Sequence, residues 1–166
     1  GRNLVRGEEG TQIQITILRD GQEQTLDVTR RQVVVPVATW EMLPDNVGLI
    51  TITNFDDRCS QETIAAIERL RNQGAEKLLF DVRNNPGGYL DQVVSVADKL
   101  LPKGLIVYVE ERDGTRQDYY SDEEFLDVPL AVLVNEKSAS ASEILALAVQ
   151  ALGRGTVVGT NTYGKG

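Results

Sequence analysis

Histidine is absent from this 166-residue sequence, and cysteine, methionine and tryptophan each occur once. Without histidine the chain cannot assemble a Ser-His-Asp triad, so a serine nucleophile would need lysine, aspartate or glutamate as its base. The single Cys59 excludes an internal disulfide and a cysteine-built metal cluster. Because histidine ligands are missing as well, we expect no transition-metal site, and no cofactor is predicted.

Positive charge and long apolar runs are also scarce. Lysine and arginine total 17 against 25 acidic residues, which gives a net charge of −8. A nucleic-acid backbone would be repelled by such a chain, so nucleic acid is not an expected partner. No apolar run reaches the length of a transmembrane helix, and residues 1–3 do not have the pattern of a signal peptide. The 41 % apolar fraction is nevertheless sufficient for a buried core.

The residues best suited to chemistry lie in the last third of the chain. The runs Ser-Ala-Ser-Ala-Ser-Glu-Ile (138–144) and Thr-Tyr-Gly-Lys-Gly (162–166) flank an apolar segment over 144–152. This segment is apolar nearly all round, which predicts a buried helix. Ser140 at its start would lie beside free N–H groups and the positive end of the helix dipole, which favour an oxyanion. Lys165 is then the candidate base.

A purely structural interpretation accounts for the same residues. Ser140 and Glu143 fit the S-x-x-E capping box, and a lysine between two glycines is typical of a solvated turn. As a base, a lysine with an ordinary pKa of ~10.4 must be brought to ~7–8 by burial. At about 1.4 kcal/mol per pKa unit, the surroundings must destabilise the ammonium form by roughly 4 kcal/mol. An exposed turn does not have this effect.

A glycine-rich turn follows a second buried segment. The apolar run 78–82 has the length of a buried strand, and Arg-Asn-Asn-Pro-Gly-Gly (83–88) leads from it into a helix predicted over 89–101. Such a turn exposes backbone N–H groups at the carboxyl end of a strand, where α/β sheets bind ligands. An ordinary tight turn is the alternative. We predict that Asp81 and Arg83 form a charge pair that holds the turn.

The rest of the pattern alternates strands and helices, which is typical of an α/β fold. Asp20-Gly21 and Asp113-Gly114 are hairpin turns in this interpretation, and the Tyr119-Tyr120 pair is expected to close the second hairpin. Further strands are predicted over 12–18, 23–29, 47–53, 105–109, 128–134 and 156–159, and a further helix over 60–74.

The two runs of the last third resemble the C-terminal processing peptidases, also called tail-specific proteases. In that family the nucleophile is the middle serine of the first run, and the base is the lysine of the second run, 25 positions later. Ser140 and Lys165 occupy these places with the same spacing. The family motif Asp-x-Arg-x-Asn-x-Gly-Gly also occurs, over residues 81–88.

The resemblance implies a serine endopeptidase that cleaves proteins near their C-termini. It implies an α/β fold, a ClpP/crotonase-like catalytic core with a mixed sheet and helices. The expected substrates are proteins or peptides with accessible C-terminal tails. The full-length protein is expected to be extracytoplasmic. Homo-oligomerisation stays open. By analogy, the oxyanion hole uses the N–H group of Gly87 or Gly88 together with that of Ala141, while Glu143 and Thr162 match positions that assist function.

The resemblance also implies a division into domains. Residues 1–35 are predicted to be the C-terminal part of a PDZ-like domain, 36–46 a linker that Trp40 anchors to the core, and 47–166 the peptidase core. The carboxylate-binding loop of the PDZ domain would lie upstream, so this part is not expected to bind peptide termini alone. Because Gly166 directly follows the lysine, we expect the core to be truncated at its end.

One position departs from the family pattern. Many members have an aspartate after the glutamine that corresponds to Gln150, whereas this chain has Ala151. A Ser-Lys dyad does not require that aspartate, although the rate or the stability can differ. A non-catalytic peptide-binding or scaffolding fragment therefore stays open as an alternative, as does acyl-CoA chemistry, which shares the crotonase-like fold.

Overall fold

The computed structural model describes residues 5–165. The chain forms two compact units, one that extends to Val35 and one that starts at Pro36. The first four residues of the predicted PDZ-like segment, and Gly166 at the end of the predicted core, lie outside the described residues.

The first unit contains an antiparallel hairpin of β1 (Gln12–Arg19) and β2 (Gln22–Thr29). Asp20 and Gly21 connect the strands with positive φ angles of 53° and 77°, the conformation that a two-residue hairpin turn needs. The register places Ile13 opposite Val28. The two predicted strands and their turn are confirmed, whereas the assignment of this hairpin to a PDZ-like domain stays a prediction.

The second unit is built on a five-stranded mixed sheet in the order β3-β4-β5-β8-β9. Strand β3 pairs antiparallel with β4, and the other neighbours pair in parallel. The α/β core with a mixed sheet is therefore as predicted. The strands are β3 (Ala38–Leu43), β4 (Val47–Ile52), β5 (Lys77–Asp81), β8 (Leu130–Val134) and β9 (Gly155–Gly159).

Two helices pack on this sheet, and a third helix and a second hairpin pack against these helices. Helix α1 (Cys59–Asn72) contacts β3 and β4, whereas α3 (Ala141–Ala151) contacts β8 and β9. Helix α2 (Leu90–Leu100) contacts both of the other helices. Strands β6 (Gly104–Glu110) and β7 (Arg116–Ser121) form the hairpin that was predicted around Asp113-Gly114. This hairpin contacts α2. No helix among residues 5–165 is both long and apolar enough to span a membrane.

Helix α3 is buried on one side only. Leu145 and Val149 are fully buried in the core, but Leu147 is 65 % exposed. The prediction of a helix buried all round is therefore wrong at Leu147. The sequence pattern misleads here because small alanines interrupt the leucines and valines, so apolar composition alone does not reveal which side faces the sheet.

The linker predicted over residues 36–46 is also wrong. Residues 38–43 form strand β3, which extends the sheet beside β4, and Pro44–Asn46 form a short 3-10 turn. Trp40 packs against the core as expected, but it does so from a strand. The two prolines suggested an irregular connection, yet both lie just outside the strand, where the lack of an N–H group costs no sheet hydrogen bond.

Cys59 is fully buried at the start of α1, and burial raises the pKa of its thiol to about 11. A thiol with such a pKa is almost entirely protonated near neutral pH and is a poor nucleophile. Cys59 is therefore a buried thiol that packs in the core.

Candidate active site

Four loops converge at one edge of the sheet. Because β4, β5, β8 and β9 are parallel neighbours, their carboxyl ends lie side by side, which is where α/β sheets usually bind ligands. Phe55 follows β4 and the glycine-rich turn follows β5. Ser140 follows β8 and Lys165 follows β9. The parallel pair β8 and β9 thus brings together two loops that helix α3 separates in the sequence.

The three serines of the serine-rich turn have different surroundings. Ser138 and Ser142 are fully buried, and their hydroxyls donate to the carbonyls of Val82 (2.8 Å) and Asn85 (3.0 Å). Ser140 between them is half-buried, with φ and ψ of 55° and −117°. A residue with a Cβ adopts such a backbone only under strain, which often marks a functional position. These surroundings support Ser140 as the reactive serine.

The glycine-rich turn carries N–H groups with different partners. The Gly87 N–H donates to the side-chain oxygen of Asn85 at 2.9 Å. By contrast, the N–H groups of Gly88 and Ala141 have no acceptor within residues 5–165. Two unpaired donors on adjacent turns are what an oxyanion hole requires. This difference supports Gly88 over Gly87 as the partner of Ala141, and the assignment stays a prediction.

The two turns are packed too closely to admit a side chain between them. A Cβ atom on Gly87 would lie 2.8 Å from the Cβ of Ser140 and 3.0 Å from the nitrogen of Ala141. A Cβ on Gly88 would lie 2.2 Å from the carbonyl oxygen of Phe55. Both glycines also have positive φ angles, 104° and 150°. The turn therefore needs glycine at both positions for space as well as for conformation.

Glu143 connects the serine turn to the lysine loop. One oxygen of its carboxylate accepts both the Ser140 N–H at 2.8 Å and the Lys165 N–H at 2.9 Å. The other oxygen accepts the Gly164 N–H at 2.6 Å, and the Thr162 hydroxyl also hydrogen-bonds to the carboxylate. The backbone N–H groups of Ser140 and Lys165 thus share one acceptor oxygen. Neither residue type nor spacing in the sequence predicted this shared acceptor.

These hydrogen bonds hold the pKa of Glu143 below its ordinary value. Partial burial raises the pKa, but the hydrogen bonds from Thr162, Gly164, Ser140 and Lys165 outweigh this effect because they favour the ionised carboxylate. Glu143 therefore does more than complete the capping box at the start of the helix. Its charged carboxylate also holds the lysine loop in place.

Lys165 is exposed and lines an open cavity of about 430 Å³ beside α3. Glu143 and Thr162 form its polar side with the lysine, and α3 and β9 supply its apolar side. A cavity with one apolar wall beside a candidate base can accept a peptide side chain. Its other lining residues are Ala146, Leu147, Gln150, Val157 and Gly164.

The predicted charge pair between Asp81 and Arg83 is confirmed. The guanidinium contacts the carboxylate at 2.7 Å and 3.0 Å, and the Arg83 N–H donates to the same carboxylate. Burial raises the pKa of Asp81, but the hydrogen bonds and the charge of Arg83 outweigh this effect and lower it. The pair holds the first residues of the glycine-rich turn at the end of β5.

Sequence reasoning missed the residues that join the two turns. Asn84 and Asn135 bond reciprocally: the Asn84 N–H donates to the Asn135 side chain at 2.9 Å, and the Asn135 amide returns a bond at 3.0 Å. Asn85 is fully buried between the turns. Asparagines in a glycine-rich turn are usually assigned to turn formation, so the sequence carried no signal for these long-range bonds.

We expect Glu143→Gln to lower the free energy of unfolding by about 1–2 kcal/mol near neutral pH, because an amide nitrogen would face N–H donors. Since the folded-state pKa of Glu143 lies below the ordinary value, its contribution is complete above that value and is lost as the pH falls through the folded-state pKa. The difference between Glu143→Gln and the parent should therefore shrink in acid. Urea unfolding over a pH series measures it, with the exposed Glu123→Gln as control. A difference that does not change with pH would contradict this role.

The sequence is similar to those of known proteases. The sequence pattern of Peptidase family S41 matches residues 46–166. The chain is 40 % identical to a carboxyl-terminal-processing protease of Synechocystis, over 98 % of the chain and 40 % of that protein. It is 34 % identical to the carboxy-terminal processing protease CtpA of Bacillus subtilis, over 98 % of the chain and 36 % of that protein.

Solved structures show the same relationship. The photosystem II D1 C-terminal processing protease superposes with a TM-score of 0.72 at 31 % identity, over 96 % of this chain and 46 % of that one. The fold is thus a mixed α/β core of the kind found in that processing protease. This chain belongs to Peptidase family S41. It spans less than half the length of the relatives named here.

Proposed function

We propose that this chain forms the core of a serine endopeptidase that cleaves proteins near their C-termini. Ser140 is the nucleophile and Lys165 is the base in this proposal. The observation that carries it is the Glu143 carboxylate oxygen, which accepts the N–H groups of both residues. Family membership and the names of the relatives support the reaction class.

The proposed reaction has two halves. The Ser140 hydroxyl attacks the scissile carbonyl carbon while the neutral Lys165 amine takes its proton. The carbonyl oxygen becomes an oxyanion and accepts hydrogen bonds from the N–H groups of Gly88 and Ala141. The lysine ammonium then protonates the leaving amine, which leaves an acyl-enzyme. Water, deprotonated by the same lysine, hydrolyses the acyl-enzyme and restores Ser140.

Lys165 is exposed in the structure, whereas a neutral lysine is favoured by removal of water. In the proposed reaction the bound peptide provides this desolvation by covering the open cavity beside α3. Part of the substrate's binding free energy then offsets the free energy needed to form the neutral amine. Part of the specificity would appear in kcat rather than in KM.

The substrates that we propose are proteins or peptides with an accessible C-terminal tail, which is what the relatives' names imply for those proteins. We further propose that residues 1–35 belong to a PDZ-like domain and that the full-length protein acts outside the cytoplasm. Cell fractionation with an antibody against the peptidase core tests the location, and recovery in the cytoplasmic fraction would contradict it.

Labelling with a fluorophosphonate tests the proposed reaction. We expect mass spectrometry of the labelled full-length protein to find the adduct on Ser140, since only an activated serine reacts quickly. The buried Ser138 and Ser142 serve as internal controls within the same tryptic peptide, and Ser140→Ala should abolish the labelling. If no serine is labelled while a tail peptide still binds, the chain is a peptide-binding module instead of an enzyme.

A further inference from the structure

Asn85 belongs to the glycine-rich turn and is fully buried. Its side-chain amide donates to the carbonyl of Ile52, at the end of β4, at 2.8 Å. Its side-chain oxygen accepts the Gly87 N–H at 2.9 Å. Both ends of the amide are therefore bonded to backbone, so the side chain has one orientation and fixes the turn relative to β4.

The side chain of Asn85 also determines which glycine donor is left unpaired. The Asn85 side-chain oxygen accepts the Gly87 N–H, whereas the N–H of Gly88 has no acceptor within the described part of the chain. The backbone bonds between Phe55 and the residues on either side of Gly88 keep this arrangement in place, at 2.9 Å and 2.7 Å.

The main-chain carbonyl of Asn85 points to the other turn. It accepts the Ala139 N–H at 3.0 Å and the Ser142 hydroxyl at 3.0 Å. These two residues lie on either side of Ser140 and Ala141. A single buried residue is thus bonded to the turn that carries Gly88 and to the turn that carries the nucleophile.

We propose that Asn85 and Ser142 are positioning residues that hold the N–H groups of Gly88 and Ala141 at the spacing that an oxyanion needs. The inference rests on the proposed function, because it concerns the same reaction. The two donors come from separate turns, so their spacing depends on the bonds between the turns. The Ser142 hydroxyl supplies one of these bonds, the one to the carbonyl of Asn85.

Loss of this connection should affect the transition state more than the bound substrate. The carbonyl oxygen moves into the hole only as the carbon becomes tetrahedral, so displaced donors lower kcat while KM changes little. Removal of one complete donor typically costs about 10²–10³ in rate. We expect a displaced donor to cost roughly tenfold or more, within that limit.

The experiment compares Ser142→Ala with Ser121→Ala in the full-length protein. Ser121, in the second hairpin, is a matched control: it is buried, and its hydroxyl donates to the carbonyl of Pro102 at 2.6 Å. Both variants lose a buried serine hydroxyl, so thermal unfolding should report similar losses of stability. Only Ser142→Ala is expected to lower kcat by roughly tenfold or more on a tail peptide, with KM within about twofold.

A peptide aldehyde provides a second measurement, because its adduct with Ser140 places an oxyanion in the hole. We expect its inhibition constant to rise in Ser142→Ala by the same factor as kcat falls. Binding of the uncleaved tail peptide, measured in a Ser140→Ala background, should be unchanged. Asn85→Asp retains the shape of the side chain but loses the N–H donor to the carbonyl of Ile52. Where this variant folds, we expect its kcat to fall at least as far as that of Ser142→Ala.

The outcomes separate this inference from the proposed function. If Ser140→Ala keeps full activity, the proposed function fails. If Ser140→Ala is inactive but Ser142→Ala matches Ser121→Ala in both kcat and aldehyde inhibition, the positioning role is overturned and the proposed function stands. A fall in kcat without weaker aldehyde binding would also overturn the positioning role.

Discussion

Lys165→Met is expected to abolish proteolysis, with a fall in kcat of about 10⁴-fold or more. Methionine has nearly the length and the apolar stem of lysine, but it cannot take a proton from Ser140. The backbone N–H of residue 165 would still donate to Glu143, since that bond does not involve the side chain. The loop should therefore keep its place, and the loss should be one of chemistry.

Cleavage of an unstructured C-terminal tail, followed by mass spectrometry, measures this effect. Lys103→Met is the control, because Lys103 is 70 % exposed and pairs with Glu123 away from the site. Binding of the tail peptide should persist in both variants. Residual cleavage by Lys165→Met at a tenth of the parent rate or more would exclude a lysine base, because a dyad without its base is far slower.

Gly88→Ala is expected to produce the second largest effect, on stability and activity together. The new Cβ would lie 2.2 Å from the carbonyl oxygen of Phe55, and φ is 150° at this position. The turn can accommodate the methyl group only by moving away from Phe55, which displaces the N–H that faces the proposed oxyanion. We expect a fall in kcat of about 10²–10³-fold and a loss of about 2–4 kcal/mol in unfolding free energy.

Gly114→Ala is the matched control for this substitution. Gly114 also has a positive φ, 85°, but no atom lies within 4 Å of its Cβ position in the second hairpin. It should therefore show the conformational cost alone, about 1–2 kcal/mol, with unchanged kcat. Equal effects of the two substitutions on urea unfolding and on kcat would contradict the close packing of Gly88 against Phe55.

Much of the fold could be predicted because its strands have simple patterns. The apolar runs at β5 and β8 lie in a parallel part of the sheet, where one side is buried and the other is mostly half-buried, and such runs are readily recognised. Strand β3 was missed because it is an edge strand between two prolines, and its alternation is short. The exposed Leu147 was missed because an alanine-rich helix does not reveal its buried side from composition.

The candidate site could be predicted as a set of residues but not as an arrangement. Ser140 and Lys165 stood out by residue type and spacing, and the structure brings their loops together through Glu143. The choice between Gly87 and Gly88 depends on which N–H the Asn85 side chain occupies. That choice is made by a bond between a buried amide and the backbone, which no periodicity or motif records.

The crossover from β8 through α3 to β9 holds both candidate reactive residues at its two ends. During synthesis on the ribosome, the earlier strands and the glycine-rich turn emerge before Ser140, and Lys165 emerges after it. A growing polypeptide therefore has a complete pair only after residue 165 has been added and β9 has docked beside β8. In the function that we propose, a shorter nascent chain lacks the base and therefore cannot yet cleave unfolded segments of its own or of its neighbours.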